Sequence, residues 1–516
     1  FRRRRVHRGA ERVRSRRLGR RFLLSVPELA QIATLPSAGA IPGLERAGAR
    51  TVPPPRGLPT EGKVLGDSDH PGIRRRVAIA VPDARHHLHV IGETGTGKST
   101  LLASLALQDA EARRSTVVID PKGDLVEAIL ERLPKDAEER TCLIDPDDRG
   151  RAVGLNVLAG DDPDLVVDHV AAVFKRIYEH WWGPRTDDIM RAACLTLHQI
   201  PGTTLAEVPL LLTHLEWRRA IQERLTDVAG VRAFWRWYDR LQEGQRAQHI
   251  APLLNKLRAF LLRGPVRAVV GQAKPRLDIG ALLDAGGLLL VRIPKGTIGE
   301  DTSRLLGAFV IARVWQACMR RAARPEVDRP DTALYVDEMH NYLVLPRSFE
   351  DLLAEARGYR LSLVLAHQHM GQLPREMRDA LGANARTKVV FTCSPEDAYG
   401  LARHFSPELN EHDLSHLTTY QAACRPTIAG GLGHAFTFRT LPLGPESTGR
   451  ASAVRERSAE LFAADRWAVE GEIRNRHLRI EQLLPRETSA PLPEEPGRQS
   501  VGQSIGRSVG QSVGQS

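Results

Sequence analysis

Residues 86–100 read HHLHVIGETGTGKST, and this stretch decides how the chain folds. A short apolar run breaks into glycines, spells G-x-x-x-x-G-K-S over residues 92–99, and continues into the helix-periodic KSTLLASLALQDAEA. Strand, glycine-rich turn and helix in that order form the frame of a phosphate-binding loop. Gly92, Gly95 and Gly97 let the backbone curl so that its N–H groups point inward at phosphate oxygens, and Glu93, Thr94, Thr96 and Thr100 complete the loop. The helix N-terminus adds a favourable dipole, Lys98 is placed to neutralise β- and γ-phosphates, and Ser99 can ligate Mg²⁺. ATP and Mg²⁺ are therefore the expected cofactors.

Outward from the loop, STVVIDPKGD, LVEAILERL and RTCLIDP repeat the alternation of short apolar strand and amphipathic helix. That rhythm predicts an α/β fold built on a mainly parallel sheet covered on both faces. It stops over residues 161–270, where DLVVDHVAAVFKRIYEHWW, TDDIMRAACLTLHQI, VRAFWRWYDRL and IAPLLNKLRAFLL are helix-periodic. Five of the seven tryptophans fall there (Trp181, Trp182, Trp217, Trp235, Trp237), and most are read as the core of a separate helical subdomain, with an exposed aromatic recognition surface as the alternative. The α/β rhythm resumes with GGLLLVRIP, TALYVDE, LSLVLAHQ and TKVVFTCS, and YQAACRPTI with HAFTFRTLPL reads as a hairpin. The expected organisation is a basic segment and Pro-rich linker at 1–62, a first ATPase part at 63–160, the inserted all-helical domain at 161–270 and a second ATPase part at 271–445. A helical segment at 446–485 and a disordered VGQS/IGRS tail at 486–516 follow. The linker TVPPPRGLPTEG, residues 51–62, is expected to be extended rather than packed.

The net charge of +11 on 516 residues is concentrated at one end. Residues 1–24 hold eleven arginines against one acid, so the remaining chain is nearly neutral, and a general nucleic-acid affinity does not follow from charge alone. No apolar run reaches the ~18 residues of a membrane span. The arginine block directly after Phe1 is the pattern found just inside a span. The expectation is a sequence cut downstream of an N-terminal anchor; its rival is a solvated basic tail. Five cysteines without CxxC or Cys/His spacing support neither a disulfide framework nor a zinc site.

A phosphate loop binds nucleotide without necessarily hydrolysing it, so a second acidic site is required. Asp337 and Glu338 end an apolar strand, which suits Asp337 to hold Mg²⁺ and Glu338 to orient or deprotonate the attacking water. Gln368 ends the next strand, where an amide can report loss of the γ-phosphate. Asp120 has two readings of equal weight, reaching the nucleotide or capping the next turn.

Together, HVIGETGTGKST, VVIDPKGDL, GLNVLAG, LYVDE, RGYRLSLVLAHQHMGQLP and NARTKVVF resemble the conjugative coupling proteins of type IV secretion systems, within the FtsK/HerA group of DNA-pumping ATPases. The resemblance covers about residues 80–445 and implies a RecA-like P-loop NTPase fold with an inserted helical domain, which would account for the 239 residues between Lys98 and Asp337. It also implies a homo-hexameric ring, ATP bound between subunits, and single-stranded DNA passing through a central channel. Relaxase-type cargo, channel components as partners and the cytoplasmic face of the bacterial inner membrane follow in the same way. By similarity Arg357 takes the place of an arginine finger reaching a neighbour's site, Gln368 that of the sensor, and Arg386 is a weaker candidate for the same role. An ATP-gated substrate receptor and a HerA-like repair translocase are the alternatives.

Overall fold

The computed structural model describes residues 48–227, 229–343, 349–444 and 449–481; the arginine block and the repeat tail lie outside them. Fifteen strands are assigned among the described residues: β1 (Lys63–Ser68), β2 (Arg76–Ile79), β3 (Leu88–Ile91), β4 (Ser115–Asp120), β5 (Thr141–Ile144), β6 (Arg151–Val153), β7 (Leu288–Arg292), β8 (Thr332–Val336), β9 (Leu361–His367), β10 (Thr387–Val390), β11 (Gln421–Arg425), β12 (Thr427–Ile428), β13 (Gly431–Leu432), β14 (Phe436–Thr440) and β15 (Ala463–Asp465). Eleven of them form one sheet in the order β2-β1-β14-β11-β10-β3-β9-β8-β4-β7-β5. From β10 to β5 every neighbouring pair is parallel, and β11, β14, β1 and β2 extend the sheet antiparallel. Every residue of β4, β8 and β9 is buried, as their continuous apolar runs require in a sheet covered on both faces.

The expected hairpin is present. Ala422 of β11 faces Phe438 of β14, and β12 with β13 forms a small ribbon between them. No strand is assigned among the described residues between β6 and β7, where the chain runs through the helices Pro163–Ile177, Pro184–His198, Val231–Arg240 and Glu243–Leu261 with shorter ones between. The helix Pro163–Ile177 starts where Asp162 accepts from the Leu165 N–H, and it buries Val166, Val170, Val173 and Phe174 along one stripe.

This helical stretch is packed directly onto the sheet. Its apolar side chains run without a break into the layer beneath β4, β5 and β7, so that Trp235 and Val117 belong to one core. The tryptophans divide. Trp235 is fully buried and donates through Nε1 to Thr196 Oγ1 at 2.7 Å, Trp217 is buried, whereas Trp181 is 78% and Trp237 41% exposed. The C-terminal helices Ala451–Phe462 and Arg466–Glu481 tie the two parts together: β15 pairs with β6, Arg267 with Glu470 at 2.8 Å and Arg476 with Glu207 at 3.1 Å.

The Pro-rich segment is packed, against expectation. Leu58 lies in the core beside β1 and β2, Pro54 is buried, and Arg75 donates to the carbonyls of Leu58 and Pro55. Ordered contacts begin earlier still, with Arg50 paired to Asp413 at 3.0 Å. Proline removes backbone donors but not apolar surface, and burying one leucine is worth about 1.5–3 kcal/mol. All five cysteines are buried and free. Among the described residues no helix is long and apolar enough to cross a membrane.

Candidate functional site

The sheet order brings the site together. Chain order places the strand carrying Gln368 after the strand carrying Asp337, but in the sheet β9 lies between β3 and β8, with Ile91 opposite His367 and Val336 opposite Leu365. Because the three strands are parallel, their C-terminal ends, at Gly92, Gln368 and Asp337, lie on one edge about 5 Å apart in that order.

At this edge the loop depends on glycine. Gly97 has φ 121°, a left-handed conformation that disfavours a side chain, and a Cβ at Gly92 would sit 2.6 Å from Phe391 Cβ. The helix Lys98–Glu111 then starts directly behind the loop. Lys98 Nζ folds over it and donates to the carbonyl oxygens of Gly92 at 2.5 Å and Glu93 at 2.7 Å. Thr96 Oγ1 donates to the Glu93 carbonyl at 2.8 Å. A cavity of about 150 Å³ is lined by Thr94, Gly95, Gly97, Lys98, Ser99 and Thr100 from the loop and by Lys122, Asp337 and Tyr420 from elsewhere.

The two strand-end acids differ. Burial pushes the Asp337 carboxyl up to about 6, reinforced by the neighbouring charges of Glu338 and Asp120 and opposed by Lys122 and Lys98. Burial also opposes ionisation of Glu338, yet hydrogen bonds from Lys122 and Gln368 hold it below its ordinary value. Lys122 Nζ and Gln368 Nε2 both donate to Glu338 Oε1, the lysine at 3.0 Å. Glu338 Oε2 is buried and has no hydrogen-bond partner among the described residues, with His340 Nδ1 at 3.9 Å. Glu338 sits at φ 50°, in the left-handed region. Burial depresses Lys98, while Asp337 and Glu338 support its charge.

Asp120 caps. Its Oδ1 accepts from the Lys122 N–H at 2.9 Å and its Oδ2 from the Val126 N–H at 3.0 Å, and its charge adds to the rise of Asp337. Two lining residues escaped the sequence reading. Lys122 sits in the PKGD turn already noted for Asp120, and a basic residue two positions after a strand-end acid was the available signal. Tyr420 gave none; it reaches the loop from the start of β11, donating its N–H to the Thr96 carbonyl at 2.8 Å with its ring against Gly97.

Arg357 and Arg386 do not join this group. Arg357 is exposed and precedes β9, whose seven residues put roughly 20 Å between it and Gln368. Arg386 precedes β10, and its N–H donates to the His86 carbonyl at 2.9 Å. Both guanidiniums act on His86, which burial and then these two charges depress. The pair thus lies together on the opposite edge of the sheet from Lys98.

Among the described residues no group of three or more His, Cys, Asp or Glu side chains could hold a metal ion. Ser99 and Asp337 on one cavity do fit a Mg²⁺ bound together with nucleotide phosphates, and like charges crowding Asp337 are what a divalent cation relieves.

Residues 62–170 match the DUF87 family, described as the central domain of helicase HerA. Among solved structures, the bacterial conjugative coupling protein TrwBdeltaN70 in an unbound form matches with a TM-score of 0.53 at 18% identity, covering 80% of this chain and 96% of that one. The plasmid coupling protein TrwB in complex with the non-hydrolysable ATP analogue ADPNP matches at 0.52 and 18%, covering 76% and 92%. VirB4 of Thermoanaerobacter pseudethanolicus matches at 0.50 and 14%, covering 76% and 98%. No protein with a curated description matches in sequence. The chain shares with these structures the fold of a P-loop NTPase whose mostly parallel sheet carries helices on both faces.

Proposed function

We propose that this chain is an ATP-hydrolysing motor that moves DNA, single-stranded or with bound protein, to a type IV secretion channel. The observation that carries the reading is the convergence of Lys98, Ser99, Asp337 and, behind them, Glu338 and Gln368 on one sheet edge. Support comes from the shared fold with TrwB, whose structures include complexes with ADPNP and with ADP and Mg²⁺.

The residues divide the work of phosphoryl transfer. The amides of residues 92–100 cradle the phosphates, and Lys98 exchanges the Gly92 and Glu93 carbonyls for β- and γ-phosphate oxygens. Ser99 and Asp337 would hold Mg²⁺, which would supply positive charge to offset that of the transferred group. Glu338 is kept ionised by Lys122, and its unpartnered Oε2 is the oxygen free to take a proton from water. Gln368 spans Glu338 and the γ-phosphate position, so that loss of phosphate is felt on β9. Arg357 completes the site of a neighbouring subunit in a homo-hexameric ring at the cytoplasmic face of the inner membrane. Secretion-channel components and relaxase-type cargo are the partners this role requires.

The test is phosphate release by the full chain with and without single-stranded DNA at rising salt. A motor turns over faster with DNA, and the effect fades as salt restores counterions to the phosphates. DNA binding without acceleration would reduce the chain to a receptor.

A further inference from the structure

The molecule holds a second cationic pocket that the nucleotide chemistry leaves unused. It lies at the start of β10, has a volume of about 320 Å³, and is lined by Arg386, Lys388, His404 and Arg425 with Gly382, Ala383 and Leu432. No acidic side chain lines it.

Each cation is fixed by neutral partners. Lys388 is only 5% exposed, and its Nζ donates to the carbonyls of Ala385 at 2.7 Å and Gly382 at 3.2 Å, at the end of the helix Arg375–Asn384. Arg425 donates to the His404 carbonyl at 2.7 Å and Arg386 to that of Gly430 at 3.0 Å. Carbonyls hold these groups in place without cancelling their charge, and each guanidinium has further N–H donors to offer. The repulsion is visible in the titrating groups. Burial, with Arg425 and Arg403, depresses Lys388 to about 8, and burial, with Lys388 and the same arginines, depresses His404 to about 4.

Three cations anchored by carbonyls around a cavity that no acidic side chain lines form a preorganised anion receptor, the acids Asp379, Glu396 and Asp397 lining the adjoining cavity instead; the free donors of Arg386 and Arg425 suit a tetrahedral dianion better than a planar carboxylate. The volume exceeds that of a bare phosphate and falls in the range of small-ligand sites. We propose that this pocket binds the phosphate group of a small phosphorylated molecule, independently of the site at Lys98.

Binding of inorganic phosphate and of ribose 5-phosphate to the full chain is measured by calorimetry, with a dT decamer as a third probe. Both small phosphates are expected to bind Lys98→Ala, in which the nucleotide loop no longer competes for them, with ribose 5-phosphate the tighter if a sugar phosphate is the natural occupant and phosphate the tighter if the free ion is. Arg386→Ala with Arg425→Ala should weaken both about tenfold or more, and the paired Arg→Lys changes should restore most of the loss. These side chains are not deeply buried, so the variants fold; Lys388 is spared because it caps a helix. In isotope-labelled protein the His404 imidazole should titrate at higher pH with phosphate present, because an anion favours its charged form. Unchanged affinity in the double alanine variant, loss of binding in Lys98→Ala, or binding of the decamer alone through these arginines would overturn the proposal.

Discussion

The two edges of the same parallel strands are built on opposite principles. At the C-terminal edge Lys98, Lys122, Asp337, Glu338 and Gln368 are mostly buried and engage one another, so that each sets the charge of the next. At the N-terminal edge Arg357 and Arg386 are exposed and crowd His86, with Asp83 the opposing charge there. Strand polarity explains the split: loops at one end collect phosphate-binding backbone, and those at the other are free to present side chains outward.

The sharpest break in that comparison is Arg357. If it completes a neighbour's site, Arg357→Ala should lower turnover on the order of 10³ while leaving ATP binding nearly unchanged. Mixing Arg357→Ala chains with Lys98→Ala chains should recover part of the activity through interfaces that pair an intact loop with an intact arginine. Full activity of Arg357→Ala, or no recovery in rings demonstrated to be mixed, removes it from the site.

Within the C-terminal edge, the acids and the lysine should separate. Glu338→Gln keeps shape and hydrogen bonding and is expected to cost on the order of 10² or more in phosphate release with nucleotide affinity retained. Lys98→Ala should weaken affinity itself, read by nucleotide titration. Wild-type turnover in Glu338→Gln would move the general base elsewhere.

The smallest effect is a pH slope set by the N-terminal edge. Lys388 titrates lower in the folded chain, near 8, than it would unfolded, so between about 8 and 10.5 the unfolded chain binds more protons and stability rises with pH. The contribution is bounded by about 3 kcal/mol. Urea unfolding of wild type and Lys388→Met across that window should show the rise only in wild type; parallel slopes would mean that the ammonium is better compensated than its burial implies.

Much of the nucleotide site was legible because it is local. Eight consecutive residues fix the loop, and a strand ending in two acids announces Asp337 and Glu338 wherever the strand lies in the sheet. Gln368 was readable as a strand end but not as a partner of Glu338. Lys122 and Tyr420 come from segments 24 and 322 residues beyond Lys98, and no local pattern marks either as a neighbour of the loop. Asp120 shows the limit in miniature: its two readings were equal until the N–H groups of Lys122 and Val126 were seen to occupy both oxygens.

The sequence by itself determined the periodicities, and with them the strands, the helical stretch and the glycine loop, because each depends on residues within a turn or two of one another. Only the tertiary structure decided that β9 inserts between β3 and β8, that Arg357 and Arg386 share the far edge, that the helical stretch shares the sheet's core and that the Pro-rich segment packs. Each of these rests on pairing or burial between segments distant in the chain, where the energy belongs to a contact and not to a residue.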